Sequence, residues 1–156
     1  MGLSRILISL FLSLVGIAVA GARTPGVERR AFEIELERGH ISGILVTRAD
    51  DSRIVGTMVN EFGVTALSFV YHRSKDKIEL MDVLKMLDKW YIKKVLRNDL
   101  KYCVRILNGM PVKNNRNYIV ESVDGKVSVT NSKRKIRYSF EIIEADTENE
   151  TTEQSI

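Results

Sequence analysis

A single change of hydrophobic period governs what this chain can fold into. On either side of one stretch, apolar residues alternate with polar ones in short runs. Between Val83 and Leu107 they recur instead at three- and four-residue steps, with neither Pro nor Gly in the interval. Alternation is the mark of half-buried strands, and a step of three to four is the mark of one helical face. One amphipathic helix set among many short strands points to an α+β domain, with a curved antiparallel sheet wrapped around the helix.

The strands read off in order. Phe32, Ile34 and Leu36 alternate with Glu33, Glu35 and Glu37, giving an apolar face and an acidic face. Ile41–Arg48 is rich in β-branched residues and Arg53–Asn60 follows a polar turn at Ala49–Ser52. Val64–His72 carries Leu67, Phe69 and Tyr71 on one side, and Lys77–Met81 is a fifth short strand. After the helix, Tyr118–Val123 and Lys126–Thr130 flank Asp124-Gly125, a strong two-residue hairpin signal, and Lys135–Ile143 alternates again. The expected count is therefore seven or eight strands in an open half-barrel. Gly43 and Gly56, inside strands, mark bends or close approaches.

The helix has two candidate starts, Asp82 and Asp88, because Asp is a favoured N-cap, and the length of the periodic stretch allows a break near Asp88. Leu84, Leu87, Tyr91 and Leu100 fall on its apolar stripe. Lys85, Lys89, Lys93, Arg97, Lys101 and Arg105 recur every fourth residue on another face. Asn108-Gly109 stops it, with Pro111 beyond.

The first twenty residues concern address rather than fold. Met1–Ala20 has a positive charge at Arg5, a long apolar run, and a small-x-small ending at Ala18-Val19-Ala20, which reads as a secretory signal peptide cleaved after Ala20 or Ala22. The apolar run from Ile6 falls short of the about 20 residues a spanning helix needs. Gly21–Arg30 reads as a leader segment, residues 31–144 as one domain, and residues 145–156 as a disordered tail. From Glu144 onward the chain carries five acidic residues and no basic one. Cys103 is the only cysteine, so no internal disulfide forms. Export without disulfides fits a bacterial periplasmic protein, and Cys103, within an apolar helical pattern, reads as a buried thiol.

Charge is unevenly distributed. The chain carries +4 overall, yet Lys85–Arg137 holds fourteen basic residues against Asp88, Asp99, Glu121 and Asp124. Such a field attracts anionic lipid or an acidic partner, while a charge stripe is also what an ordinary solvated helix face looks like. Trp90, Tyr91 and Tyr102 interleave with the cations, but no nucleic-acid motif is present and export separates the chain from cellular nucleic acid, so no nucleic-acid partner is expected. The catalytic inventory is poor. His40 begins one strand and His72 ends another, leaving open a meeting across the sheet. No nucleophile elbow, phosphate loop or paired-histidine metal motif occurs. No enzyme activity, metal or cofactor is expected.

The segments FEIELERGHISGILVTR, RIVGTMVNEFGVTALSFVYH and MLDKWYIKKVLRNDL give residues 31–107 a distant resemblance to the LolA/LolB superfamily of outer-membrane lipoprotein localisation proteins. That resemblance implies an open barrel closed by helices over an apolar cavity for acyl chains. It puts Ile44, Val46, Met58, Leu67 and Phe69 on the cavity wall and Leu84, Leu87, Tyr91 and Leu100 over it. The implied ligand is a lipid, lipoprotein or other apolar molecule, and the implied location is the periplasm, near the outer membrane. The chain departs from the receptor in lacking its lipobox cysteine. The alternative function is a scaffold that lays its basic helix on an anionic membrane or an acidic partner. A filled core uses the same apolar positions, so the space between helix and sheet separates the readings.

Overall fold

Alternation and turn chemistry between them set the whole sheet. In the computed structural model, which describes Gly26–Ile143, eight strands form: β1 (Val27–Leu36), β2 (Gly39–Ala49), β3 (Arg53–Asn60), β4 (Thr65–His72), β5 (Lys77–Val83), β6 (Tyr118–Val123), β7 (Lys126–Asn131) and β8 (Ile136–Ile142). All pairings are antiparallel, in the order β5-β4-β3-β2-β1-β8-β7-β6, and the outer strands β5 and β6 do not pair to close a barrel. Two meanders, β1–β5 and β6–β8, join along β1 and β8, from Arg30↔Ile142 to Glu35↔Arg137. Between them in sequence lie a single 3-10 turn (Lys85–Leu87) and the helix α1 (Trp90–Leu107). The fold is the expected α+β arrangement of an open sheet on one helix.

Curvature follows from spacing. Strands sit about 4.8 Å apart, so a flat sheet would separate β5 from β7 by about 29 Å, while a helix is only about 10–12 Å across. Yet α1 packs against both β5 and β7. The sheet must curl around the helix, and bulges at Met58/Val59 and between Leu67 and Phe69 supply local bending. Gly56 also contributes, because a Cβ there would overlap the ring of its cross-strand partner Phe69.

The core lies between the concave face and α1. Ile54, Met58, Leu67, Phe69 and Tyr71 from the first meander meet Val129, Tyr138 and Phe140 from the second, with Leu96, Leu100, Cys103 and Val104 of α1 above them. Burying a side chain of this kind is worth about 1.5–3 kcal/mol, so this two-layer contact is the main source of stability.

Several expected boundaries move. Val27–Arg30 belongs to β1 rather than to a leader, because these residues pair with Leu45–Arg48. Arg30 is buried there, held by the Glu28 carboxylate at 2.5 Å. Asp82 caps nothing: β5 runs through it to Val83, and the Leu84 amide still donates to the Ala66 carbonyl at 2.8 Å. Asp88 is not the N-cap either. It closes the 3-10 turn, and the extended residue Lys89 precedes the helix. The break near Asp88 is real, and Asp88 pairs with Lys93 of the first turn at 2.6 Å. The face assigned to β2 also reverses. Phe32↔Gly43 and Leu45↔Met58 turn the odd-numbered residues inward, which sends Ile44 (44% exposed) and Val46 to the convex side. The signal segment 1–20 and the tail 145–156 lie outside the described residues.

Candidate functional site

Because every turn in an antiparallel meander falls at one end or the other, the molecule has two rims. The turns β1–β2 (37–38), β3–β4 (61–64) and β7–β8 (132–135) share one rim with the approach to α1 (84–89). At this rim the N-terminal half of α1 stands off the sheet, and an apolar cleft of about 460 Å³ opens between them. Ile34, Leu36, Ile41, Met58, Ala66, Leu67, Ile136 and Tyr138 form its floor, and Leu87, Tyr91, Ile92, Val95 and Leu96 form its roof. Its charged residues are Glu37, Arg38 and Arg134, all in rim turns. An apolar interior with polar groups confined to the mouth, at this volume, is the form of a small-ligand site.

The residues singled out from the sequence divide four ways. Leu87 and Tyr91 line the cleft, and Met58 and Leu67 lie at its base, 0% and 1% exposed and packed into the core. Phe69 and Leu100 are buried in the packed core. Leu84 is half-buried at the end of β5, beyond the cleft wall, and Ile44 and Val46 are on the other face of the sheet. Ile34, Ile41 and Tyr138 were missed, although register unites them, since Ile34 pairs with both Ile41 and Tyr138. The alternation of β1 and β8 carried that signal. Nothing local in the sequence marked Arg134.

A second cleft, of about 680 Å³, lies along α1 against residues 112–117 and the β7–β8 turn. Lys94, Lys101, Arg105, Lys113, Lys133 and Arg134 surround it, and Tyr102 and Tyr118 stack in its wall with ring centroids 4.2 Å apart. Asp99 lies at its base, buried and fully engaged. Its Oδ1 accepts from Tyr118 Oη at 2.7 Å and Asn131 Nδ2 at 2.8 Å, and its Oδ2 from Tyr138 Oη at 2.7 Å. Burial, followed by the Asp99 charge and its hydrogen bonds, pushes both tyrosine hydroxyls well above their usual range. Burial, with the Asp99 charge, does the same to the Cys103 thiol, which favours the protonated, unreactive form.

The basic stripe is not one free surface. Lys93 pairs with Asp88, while Lys101 at 3.0 Å and Arg105 at 2.5 Å converge on Asp76 of the β4–β5 turn. Tyr71 Oη donates to the same carboxylate at 2.8 Å. Burial works against ionising Asp76, but the hydrogen bonds from Lys101, Tyr71 and Arg105 outweigh it and hold the carboxyl at about 2. Lys85 and Lys89 precede the helix and lie at the open rim, and Arg97 is exposed on α1. His40 and His72 are at opposite rims and do not meet; His72 is 3.6 Å from Glu79. No helix among the described residues is long and apolar enough to cross a membrane.

No protein-family model matches the chain, and no curated protein matches it.

Proposed function

We propose that this protein is an exported, non-catalytic binder of an apolar ligand, and that the ligand's acyl chain lies in the cleft between α1 and the concave face. The apolar cleft of about 460 Å³, open at the rim and roofed by α1, is the observation that supports this reading. The relation to lipoprotein localisation proteins belongs to the same proposal: that resemblance implies an open barrel closed by helices, of which an open eight-stranded sheet on one helix is a smaller counterpart, and the signal-like Met1–Ala20 is read as the periplasmic address. The test is to purify the mature protein from bacteria, extract it with organic solvent, and titrate the stripped protein with a fluorescent fatty-acyl probe. Extracted lipid together with saturable, competable probe binding is expected. Neither lipid nor probe binding would end the proposal.

A second reading has its own observation. Phe62, Met86 and Trp90 are 80%, 64% and 76% exposed, and all three sit on the open rim with Arg38, Lys85 and Lys89. Exposed apolar tips among cations suit an anionic bilayer surface. On this reading the membrane meets the rim, and the helical stripe contributes through Lys85 and Lys89. Sedimentation with vesicles containing 30% phosphatidylglycerol, compared with neutral vesicles, is the check; no preference for the anionic vesicles removes it.

A further inference from the structure

The two clefts share a wall. Tyr91 and Val95 of α1 and Arg134 of the β7–β8 turn line both. On one side of this wall the surface is apolar. On the other it is cationic, and its charges are not balanced. Lys94, Lys113, Lys133 and Arg134 have no ion-pair partner among the described residues. The carboxylates that reach this cleft are already engaged. Asp99 is taken up by two tyrosines and Asn131, and Asp76 by Lys101, Arg105 and Tyr71. A concave site with four uncompensated cations and saturated acids selects an anion, and Arg134 has the planar fork that matches phosphate or carboxylate oxygens.

We infer that the basic cleft is a head-group site, and that the ligand is a monoacyl anionic amphiphile. Its chain lies in the apolar cleft, its phosphate or carboxylate rests among Lys94, Lys133 and Arg134, and the junction crosses Tyr91. This inference rests on the apolar cleft holding the chain. The Arg134 backbone is fixed, its amide donating to Asn131 Oδ1 at 3.1 Å, so the side chain projects from a braced turn.

The experiment uses four probes on the full mature chain: oleoyl lysophosphatidate, oleate, mono-oleoylglycerol and glycerol 3-phosphate. Affinities are measured by calorimetry at low and high salt. Lysophosphatidate and oleate are expected to bind at least tenfold more tightly than mono-oleoylglycerol, with the advantage shrinking at high salt. In the Lys94→Gln/Lys133→Gln variant, whose two residues line only the basic cleft, the preference is expected to fall severalfold while mono-oleoylglycerol binding is unchanged. Arg134→Lys is expected to keep part of the preference that Arg134→Gln loses. Equal wild-type affinity for charged and neutral acyl probes overturns the head-group site and leaves chain binding intact. Glycerol 3-phosphate binding as tightly as lysophosphatidate also overturns the amphiphile, assigning the cleft to free phosphate esters. Failure of all three acyl probes overturns both this inference and the acyl-binding reading beneath it. Should the double variant not fold, the wild-type probe ranking and its salt dependence decide the matter alone.

Discussion

The two rims of the half-barrel are built from the same kind of turn and have opposite characters. The rim carrying β2–β3, β4–β5 and β6–β7, the closed rim, ties its turns down through two aspartates, although Val123 there is exposed. The Asp50 carboxylate accepts from the Ser52 amide, the Ser52 hydroxyl and the Arg53 amide, each at 2.8 Å, while Arg73 Nε donates to the Asp50 carbonyl at 3.1 Å. Asp76 gathers Tyr71, Lys101 and Arg105. The other rim leaves Phe62, Met86 and Trp90 in water, carries Arg38, Lys85 and Lys89, and opens into the apolar cleft, while the basic cleft runs along α1 from this rim to Asp76 and Arg105. Turn hydrogen bonds are completed at both rims, since Asn60 Oδ1 accepts from the Phe62 and Val64 amides at the open one, and what the closed rim adds is the pairing of Lys101 and Arg105 with Asp76. An open rim with apolar tips and surplus charge is complementary to something outside the chain.

Four experiments break or sharpen this contrast. The largest effect is expected from Asp99→Ala. Asp99 ties α1 to β6, β7 and β8, and its loss strands three donors, of which Asn131 and Tyr138 are buried, so urea unfolding should lose about 3–5 kcal/mol. A loss under about 1 kcal/mol would mean that the helix is held chiefly by its apolar face. Next comes Ala66→Leu, which adds bulk to the cleft floor. In a filled core such overpacking costs about 1–3 kcal/mol. In an open cleft the thermal midpoint should hardly move, while acyl-probe affinity falls at least tenfold. A destabilised variant with normal probe binding would place the ligand elsewhere.

Third, Phe62→Ser with Trp90→Ser should reduce binding to anionic vesicles several-fold, with stability changing by no more than about 0.5 kcal/mol per site, as is usual for exposed positions. The matching change on the closed rim, Val123→Ser, should leave vesicle binding untouched, and equal losses from both would erase the distinction. The smallest effect concerns pH. Hydrogen bonds from Ser52 and the Arg53 amide hold Asp50 at about 2, and the Lys101, Tyr71 and Arg105 contacts hold Asp76 there too, against an ordinary 3.8. A carboxyl lowered by folding contributes fully above its ordinary value and loses that contribution as pH falls toward its folded value. The closed rim should therefore loosen between about pH 4 and pH 2. Hydrogen exchange in the turns at 50–52 and 73–76 reads this, and Asp76→Asn should flatten the dependence at the second turn.

What the sequence discloses here is set by how local the determining contact is. Hairpins are legible because turn residues declare themselves: Asp124 and Gly125 both take positive φ, as the tight turn between β6 and β7 demands. The places of the strands along the chain follow from alternation, but the β1–β8 seam that sets their order in the sheet does not. The face of β2 is not legible, since Ile44, Leu45 and Val46 are three apolar residues in a row and satisfy either parity; only pairing with Met58 and Phe32's strand decides it. The helix start is hidden because Leu84 is committed to Ala66 on another strand. At the site, the roof residues Leu87 and Tyr91 announce themselves by helical period. Asp99 reads as one more polar helix residue, because its partners are 19, 32 and 39 positions away. The stripe of Lys and Arg likewise gives no hint that Asp76, 25 residues before Lys101, neutralises part of it.

The seam between β1 and β8 has a consequence for the order of assembly. Arg30 and Ile142 are more than a hundred residues apart, so β1 cannot gain its second neighbour until the chain has been made as far as β8. Until then the first meander presents both β1 and β5 as open edges, and closing so long a loop is slow. Open edges of this kind recruit other chains. Charged side chains along an edge strand oppose such pairing, and β1 carries Glu33 and Glu35 on one face.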